Sequence, residues 1–437
     1  MANDKIINEV MGGGLRALTK LADSPLVERF GLQDRTRQWV FEGARRAAET
    51  AKRFAPKGKG SSSTASPKFD LRLSEEQQLM RDTLRRFADD VMRPAAPEAD
   101  DLGAPPDGFL ESFGELGAIP MAIPEALGGA AERVSVVSQM LVAEDLARGD
   151  MGLAYAALSS LSFVNALVHW GSEAQQASIL RPLADGDGDP ATVAMVEPHP
   201  LFDPQSLRTT AKMKGGELVL DGEKSLVALG TRARWFLIAA EIPKVGPRLI
   251  AVSRDTPGLA VRDDHAMGLG AAALGRLVLR KARVPVDAVL GGQGALEKAG
   301  GDAYQDAVNR SRIAWGAMAL GTSQAMLDYV IPYCNERIAF GEPISHRQAV
   351  AFMIANIAIE LESMKMLVYR AAGRIDAGLP CAREAYLART LCAEKSMEIG
   401  TNGVQLLGGA GFVKDHPVET WYRQLRAIGV MDGNLVL

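Results

Sequence analysis

Cysteine is scarce in this chain: Cys334, Cys381 and Cys392 are the only three among 437 residues, with no CxxC pair and no even framework. That excludes a disulfide scaffold and leaves reduced thiols in a cytosolic-type compartment as the expectation. Histidine is sparse too. Five scattered residues without ligand spacing point to no metal site. No apolar run reaches the ~18 residues that a membrane span needs. The opening Met1-Ala2-Asn3-Asp4-Lys5 has no secretory apolar core. Large excess charge is also missing: the formal net charge is −4, which argues against nucleic acid as a partner. No G-x-G-x-x-G follows a strand-like run, so a Rossmann nucleotide site is not expected. The expected location is cytoplasmic.

What charge there is lies unevenly. Through Ser66 there are 12 basic against 7 acidic residues, so the first segment is +5 and the rest −9. Lys57 to Pro67 reads KGKGSSSTASP, a flexible Gly/Ser-rich linker. It divides a basic helical arm, 1–56, from the body. In the arm, Val40, Ala44, Ala47 and Ala51 share a helix face, with Arg45, Arg46, Lys52 and Arg53 interleaved. Such an arm docks on a partner or stays solvated. The alternative is peripheral contact with an anionic membrane surface.

The body begins helical. Ser74-Glu75-Glu76-Gln77 is a capping box ahead of Leu79, Leu84 and Phe87. Helical periodicity continues to about Asp185. Near Pro190 it gives way to short strand-like runs at 192–196, 217–220, 235–240, 248–252 and 276–279, with turn pairs between them. From about Ala295 the pattern is helical again. The expected fold class is α+β: a helical domain over 68–188, a central antiparallel β domain over 189–294, and a four-helix-bundle-like domain over 295–437.

Several motifs fall in order along this frame. Arg337-Ile338-Ala339-Phe340-Gly341-Glu342-Pro343-Ile344 followed by Gln348 is one. Gln405-Leu406-Leu407-Gly408-Gly409-Ala410-Gly411-Phe412 is another, and Tyr422-Arg423 leading to Asp432-Gly433 a third. Weaker pieces are Glu197-Pro198, Ser206-Leu207-Arg208-Thr209-Thr210, Leu220-Asp221-Gly222-Glu223-Lys224, and Met267-Gly268 with Arg283-Val284-Pro285. Together they resemble the acyl-CoA dehydrogenase superfamily over roughly 70–437.

The resemblance implies FAD, shared between subunits of a homodimer or homotetramer, or of a heteromer with a homologue. It implies that Arg337 pairs with the pyrophosphate, a charge-assisted contact. Phe340 then packs on the adenine end, Gln348 and Gln405 lie nearby, and Gly408 and Gly409 let backbone approach the dinucleotide. Backbone N–H groups of Met195 and Val196 would meet the flavin ring, because an amide donor does not depend on its side chain. Leu226 and Ala228 stand where the family usually has Trp and Thr or Ser. Asn434 replaces a Thr beside the flavin. Arg312, Asn309 and Met431 fall near the expected substrate site.

The implied reaction is α,β-dehydrogenation of an acyl-CoA thioester, with electrons passing to an electron-transfer flavoprotein. Asp432 would take the α-proton. It stands where the family usually has Glu, one methylene longer and so about 1.5 Å further in reach. A misplacement of about 1 Å can cost on the order of 100-fold. Four residues follow Gly433 where most of the family continue into a helix. Two alternatives stay open: an Asp-based enzyme like the nitroalkane oxidases of the same superfamily, and a degenerate, non-catalytic scaffold or partner subunit.

Overall fold

The computed structural model describes residues 72–132, 134–180, 183, 190–297 and 302–437. The expected arm (1–56) and linker (57–67) lie outside the described residues.

Helix α1 (Glu75–Phe87) starts on the expected capping box: Ser74 accepts from the Gln77 backbone, and the Gln77 side chain accepts from the Ser74 N–H. A π-turn over Ala88–Met92 carries the chain into α2 (Arg93–Leu102), which stops at Gly103, φ 66°. Ser135 caps α3 (Val136–Gly149), and Asp150 caps α4 (Met151–Trp170). By length and composition α4 could cross a membrane, but 89% of its most apolar stretch is buried inside the protein. It is a core helix that meets protein on every side.

The sheet has seven strands: β1 (Ala191–Ala194), β2 (Thr210–Lys214), β3 (Glu217–Val227), β4 (Trp235–Ile242), β5 (Gly246–Ser253), β6 (Leu259–Asp263) and β7 (Gly275–Pro285). They run in the order β1-β4-β2-β3-β7-β6, with β5 on the far flank of β4. The expected antiparallel module needs one correction. β1 pairs with β4 in parallel, and β2 touches β4 in parallel at Thr210. A long crossover separates β1 from β4 in sequence, and no tight hairpin forces them antiparallel.

Four helices complete the body: α5 (Asp302–Glu336), α6 (Gln348–Asp376), α7 (Ala382–Leu407) and α8 (Val418–Ala427). Helix α5 packs on α3 and α7. A buried network ties the two helical regions together. Arg81 of α1 donates to Asp145 at 2.7 and 2.8 Å and to Glu144 at 2.6 Å, both on α3. Tyr369 of α6 donates to Glu144 at 2.8 Å. One apolar core fills the space between the helices and one sheet face, and a second lies on the other sheet face. The end of β1, the end of β3 and the segment after α8 meet at the border of the larger core.

Candidate active site

The chain leaves β1 through Met195-Val196-Glu197, and the end of β3 lies alongside, where the Ser225 N–H donates to the Val196 carbonyl at 2.9 Å. Opposite them lands the segment 431–437. Gly433 is required there. It has φ 152°, and a Cβ on it would stand 2.7 Å from the Cβ of Met195. The next residue, Asn434, has φ 67°, a left-handed conformation that asparagine tolerates better than most.

The Asn434 side chain is fully buried and makes four hydrogen bonds to backbone. Its Oδ1 accepts from Met195 N at 2.6 Å and Val196 N at 3.0 Å. Its Nδ2 donates to the carbonyls of Leu226 at 3.0 Å and Ser225 at 3.3 Å. The two backbone donors expected to meet a flavin ring are therefore bonded to the protein's own amide. Trp315 donates from Nε1 to the Gly433 carbonyl at 2.7 Å, and Tyr155 stacks edge-on against Trp315 at 5.0 Å. The Tyr155 hydroxyl donates to Leu226 O at 2.7 Å and accepts from Ala228 N at 3.4 Å. Leu226 itself has φ 54°, a strained position for a branched apolar residue. Leu435, Val436 and Leu437 are buried beside the site.

Two residues before Asn434, Asp432 makes a two-pronged ion pair with Arg312: Nε to Oδ1 at 2.9 Å and Nη2 to Oδ2 at 3.0 Å. The side chains are 10% and 13% exposed, so water screens the pair little. The Arg312 guanidinium also lies 5.5 Å from the Tyr386 ring centre. Arg389 is nearby. Burial lowers its pKa, Asp432 opposes that and Arg312 adds to it. Asn309 is buried on the same face of α5 and accepts from Gln305 at 3.2 Å. Met431 is buried, its N–H closing on Ala427 O at 2.9 Å. Arg312, expected near substrate, is thus occupied by the carboxylate expected to act as base.

A second buried pair braces the floor. Lys224, fully buried, donates to Met195 O at 3.0 Å and to Glu197 at 2.9 Å. Glu197 also accepts from the N–H groups of Arg208 and Thr209, each at 2.8 Å. Burial alone would raise the Glu197 carboxyl, but Lys224 and the two backbone donors outweigh it and hold it at about 2. Burial pushes Lys224 the other way, and Glu197 restores it only in part, to about 8. In the sequence both residues were no more than pieces of weak motifs. The only local signal was a Lys inside an otherwise strand-like run and a Glu at a strand end.

His169 closes the far end of the site. Its Nε2 lies 3.0 Å from Arg310 Nη1, and the same guanidinium bonds Asp306 at 2.9 Å and Leu437 O at 2.7 Å. Burial, then the charge of Arg310, lowers the imidazole to about 4. The unfolded chain, near 6.5, therefore binds more protons between those values. This contribution to stability is complete above pH 6.5 and is lost as pH falls through 4, by up to about 3 kcal/mol. Thermal melts from pH 7.5 to 5 should show a falling midpoint that His169→Gln flattens.

The remaining expected cofactor residues stand elsewhere, on the surface. Arg337 precedes a hairpin of β8 (Ile338–Ala339) and β9 (Glu342–Pro343), whose tip residue Phe340 is 95% exposed. Arg347 lies 5.7 Å from that ring. Gln348 opens α6, Gln405 sits in the last turn of α7, and all three of Arg337, Gln348 and Gln405 are exposed. A Cβ at Gly408 or Gly409 would meet nothing within 4 Å. A cleft of about 530 Å³ lies beside the end of β3, lined by Asp100, Asp264, His265, Arg232 and Arg423 among others. Asp264 of this cleft accepts from Leu226 N at 2.9 Å.

Three domain models match the chain in order. They are the N-terminal domain of acyl-CoA dehydrogenase over 74–187, the middle domain over 192–282 and the C-terminal domain over 298–435. An acyl-CoA dehydrogenase of Bacillus subtilis is 31% identical over 373 residues, covering 83% of this chain and 96% of the relative. The butyryl-CoA dehydrogenase of Megasphaera elsdenii has a similar solved structure, with a TM-score of 0.74 and 26% identity, covering 83% of this chain and 96% of that one. A glutaryl-CoA dehydrogenase of Mycobacterium smegmatis, solved in complex with FADH2, gives 0.73 at 25% identity, covering 83% and 92%.

Proposed function

Because the chain belongs to the acyl-CoA dehydrogenase family of flavin oxidoreductases, we propose that it binds FAD and dehydrogenates an acyl-CoA thioester between its α and β carbons. One observation carries this function. The N–H groups of Met195 and Val196 and the carbonyls of Ser225 and Leu226 converge within the width of a single amide, two residues from the carboxylate of Asp432. The two N–H groups match one carbonyl oxygen of the imide edge that a flavin's pyrimidine ring presents, and one of the two carbonyls matches its single N–H. The chemistry of this cradle fits the cofactor.

When bound, FAD supplies the acceptor for the hydride leaving the β carbon. Asp432 takes the α-proton. To do so its carboxylate gives up at least one of the two guanidinium bonds, and Arg312 then remains beside it as a fixed positive charge. Tyr155 and Trp315 hold the carbonyls of Leu226 and Gly433, which keeps the strand end and the Asp432 segment in register. Buried Leu435, Val436 and Leu437 exclude water from the region of proton transfer. The outward-facing Arg337, Phe340, Gln348, Gln405, Gly408 and Gly409 serve the pyrophosphate and adenine end on a neighbouring subunit, so the working form is a homodimer or homotetramer, or a heteromer with a homologue. Electrons leave to an electron-transfer flavoprotein.

The test is an anaerobic screen of the FAD-loaded protein against a panel of acyl-CoA thioesters. Bleaching of the flavin band by at least one thioester is the expected result. Bleaching by nitroethane alone would transfer the assignment to nitroalkane oxidation, and no bleaching by any compound would remove the redox function.

A further inference from the structure

Asn434 does more than line this cradle, and its second role rests on the flavin function just proposed. Its side chain is itself a C(=O)–NH group. It lies with the oxygen on two backbone donors and the nitrogen on two backbone acceptors, fully buried. A shorter residue could not span both strand ends, and a hydroxyl, with a single O–H to donate, could not serve both carbonyls. We propose that Asn434 is an internal occupant of the flavin-edge site. Its amide stands in for the pyrimidine edge when FAD is absent, and it must withdraw for the ring to enter.

The backbone makes such a withdrawal feasible. Asn434 follows Gly433, and both have positive φ, at 152° and 67°. Glycine at 433 can take up a change of φ and ψ that a side chain would bar. Without an occupant, Met195 N and Val196 N would be buried and unpaired, an arrangement proteins avoid. The amide therefore keeps the empty site folded and competes directly with the cofactor. The same movement carries Asp432, two residues away, so loading of the cradle and release of the carboxylate from Arg312 are linked.

The experiment is an FAD titration of flavin-stripped protein, read by flavin fluorescence and by thermal melting, on the parent, N434G and N434D. Glycine suits φ 67° and leaves the four backbone groups open. Aspartate keeps the acceptor but loses the donor half. The expected result is FAD affinity at least about tenfold higher for N434G, the equivalent of roughly 1.4 kcal/mol, with N434D between the two. The melting midpoint of stripped N434G should fall below the parent's and recover on adding FAD, because the cofactor refills what the amide left. N434G binding FAD no more tightly than a parent that does bind it would overturn the proposal and leave the flavin function standing. No FAD bound by any of the three proteins would overturn both.

Discussion

An Asp432→Asn variant retains its flavin absorbance and is reduced by acyl-CoA at least about 100-fold more slowly than the parent, within the 10²–10⁴ range of a lost general base. The substitution preserves shape. Asparagine can still accept one hydrogen bond from Arg312, which now reaches the carboxylate at 2.9 and 3.0 Å. The segment's other anchors, Trp315 to Gly433 O and the four bonds of Asn434, do not involve position 432. Losing the charge opposite Arg312 lowers the melting midpoint, so reduction is compared at a temperature where both proteins are folded, and its loss there reports lost proton transfer. Stopped-flow reduction at equal rates in the two proteins would show that the base is elsewhere. Asp306, on the same helix as Arg312, is committed to Arg310 at 2.9 Å.

Lys224→Met destabilises the fold by about 3–5 kcal/mol, the usual result of removing one partner from a buried ion pair. The pair as a whole contributes little. The carboxyl of Glu197 is held down at about 2 while Lys224 is pushed down to about 8, so the gain on one side is offset by a cost on the other. Breaking it is different in kind, because Glu197 keeps its charge and Met195 O loses its donor. Denaturant melts should show the loss, and a double change, Lys224→Met with Glu197→Leu, should recover part of it. The pH dependence has a definite sign. The folded carboxyl of Glu197 is depressed, so its contribution is complete above about 4.5 and disappears as pH falls toward 2.

The helix–sheet–helix order was legible because period and composition change sharply near Pro190 and Ala295. Two strands were not. Thr210–Lys214 exposes three of its five residues, and Leu259–Asp263 has no fully buried residue, so neither carries the apolar run that marks a strand. The parallel pairing of β1 with β4 depends on a distant partner that no local pattern encodes. At the site, motif order grouped Met195, Val196, Leu226, Asp432 and Asn434. It could not reveal that Asn434 fills the cradle, which depends on a φ of 67° and the meeting of three elements. Tyr155 and Trp315 give no signal in the sequence, because each sits among apolar residues of a helix and reads as core. Their polar atoms find the site only once the fold is closed.

Heating that opens the molecule turns Met151–Trp170 loose into water, and this segment has no Asp, Glu, Lys or Arg to present there. Chains in that condition adhere to one another faster than they rebury it. Loss of the native state is then a one-way event governed by how quickly the helices part, and durability on the bench is measured as a half-life.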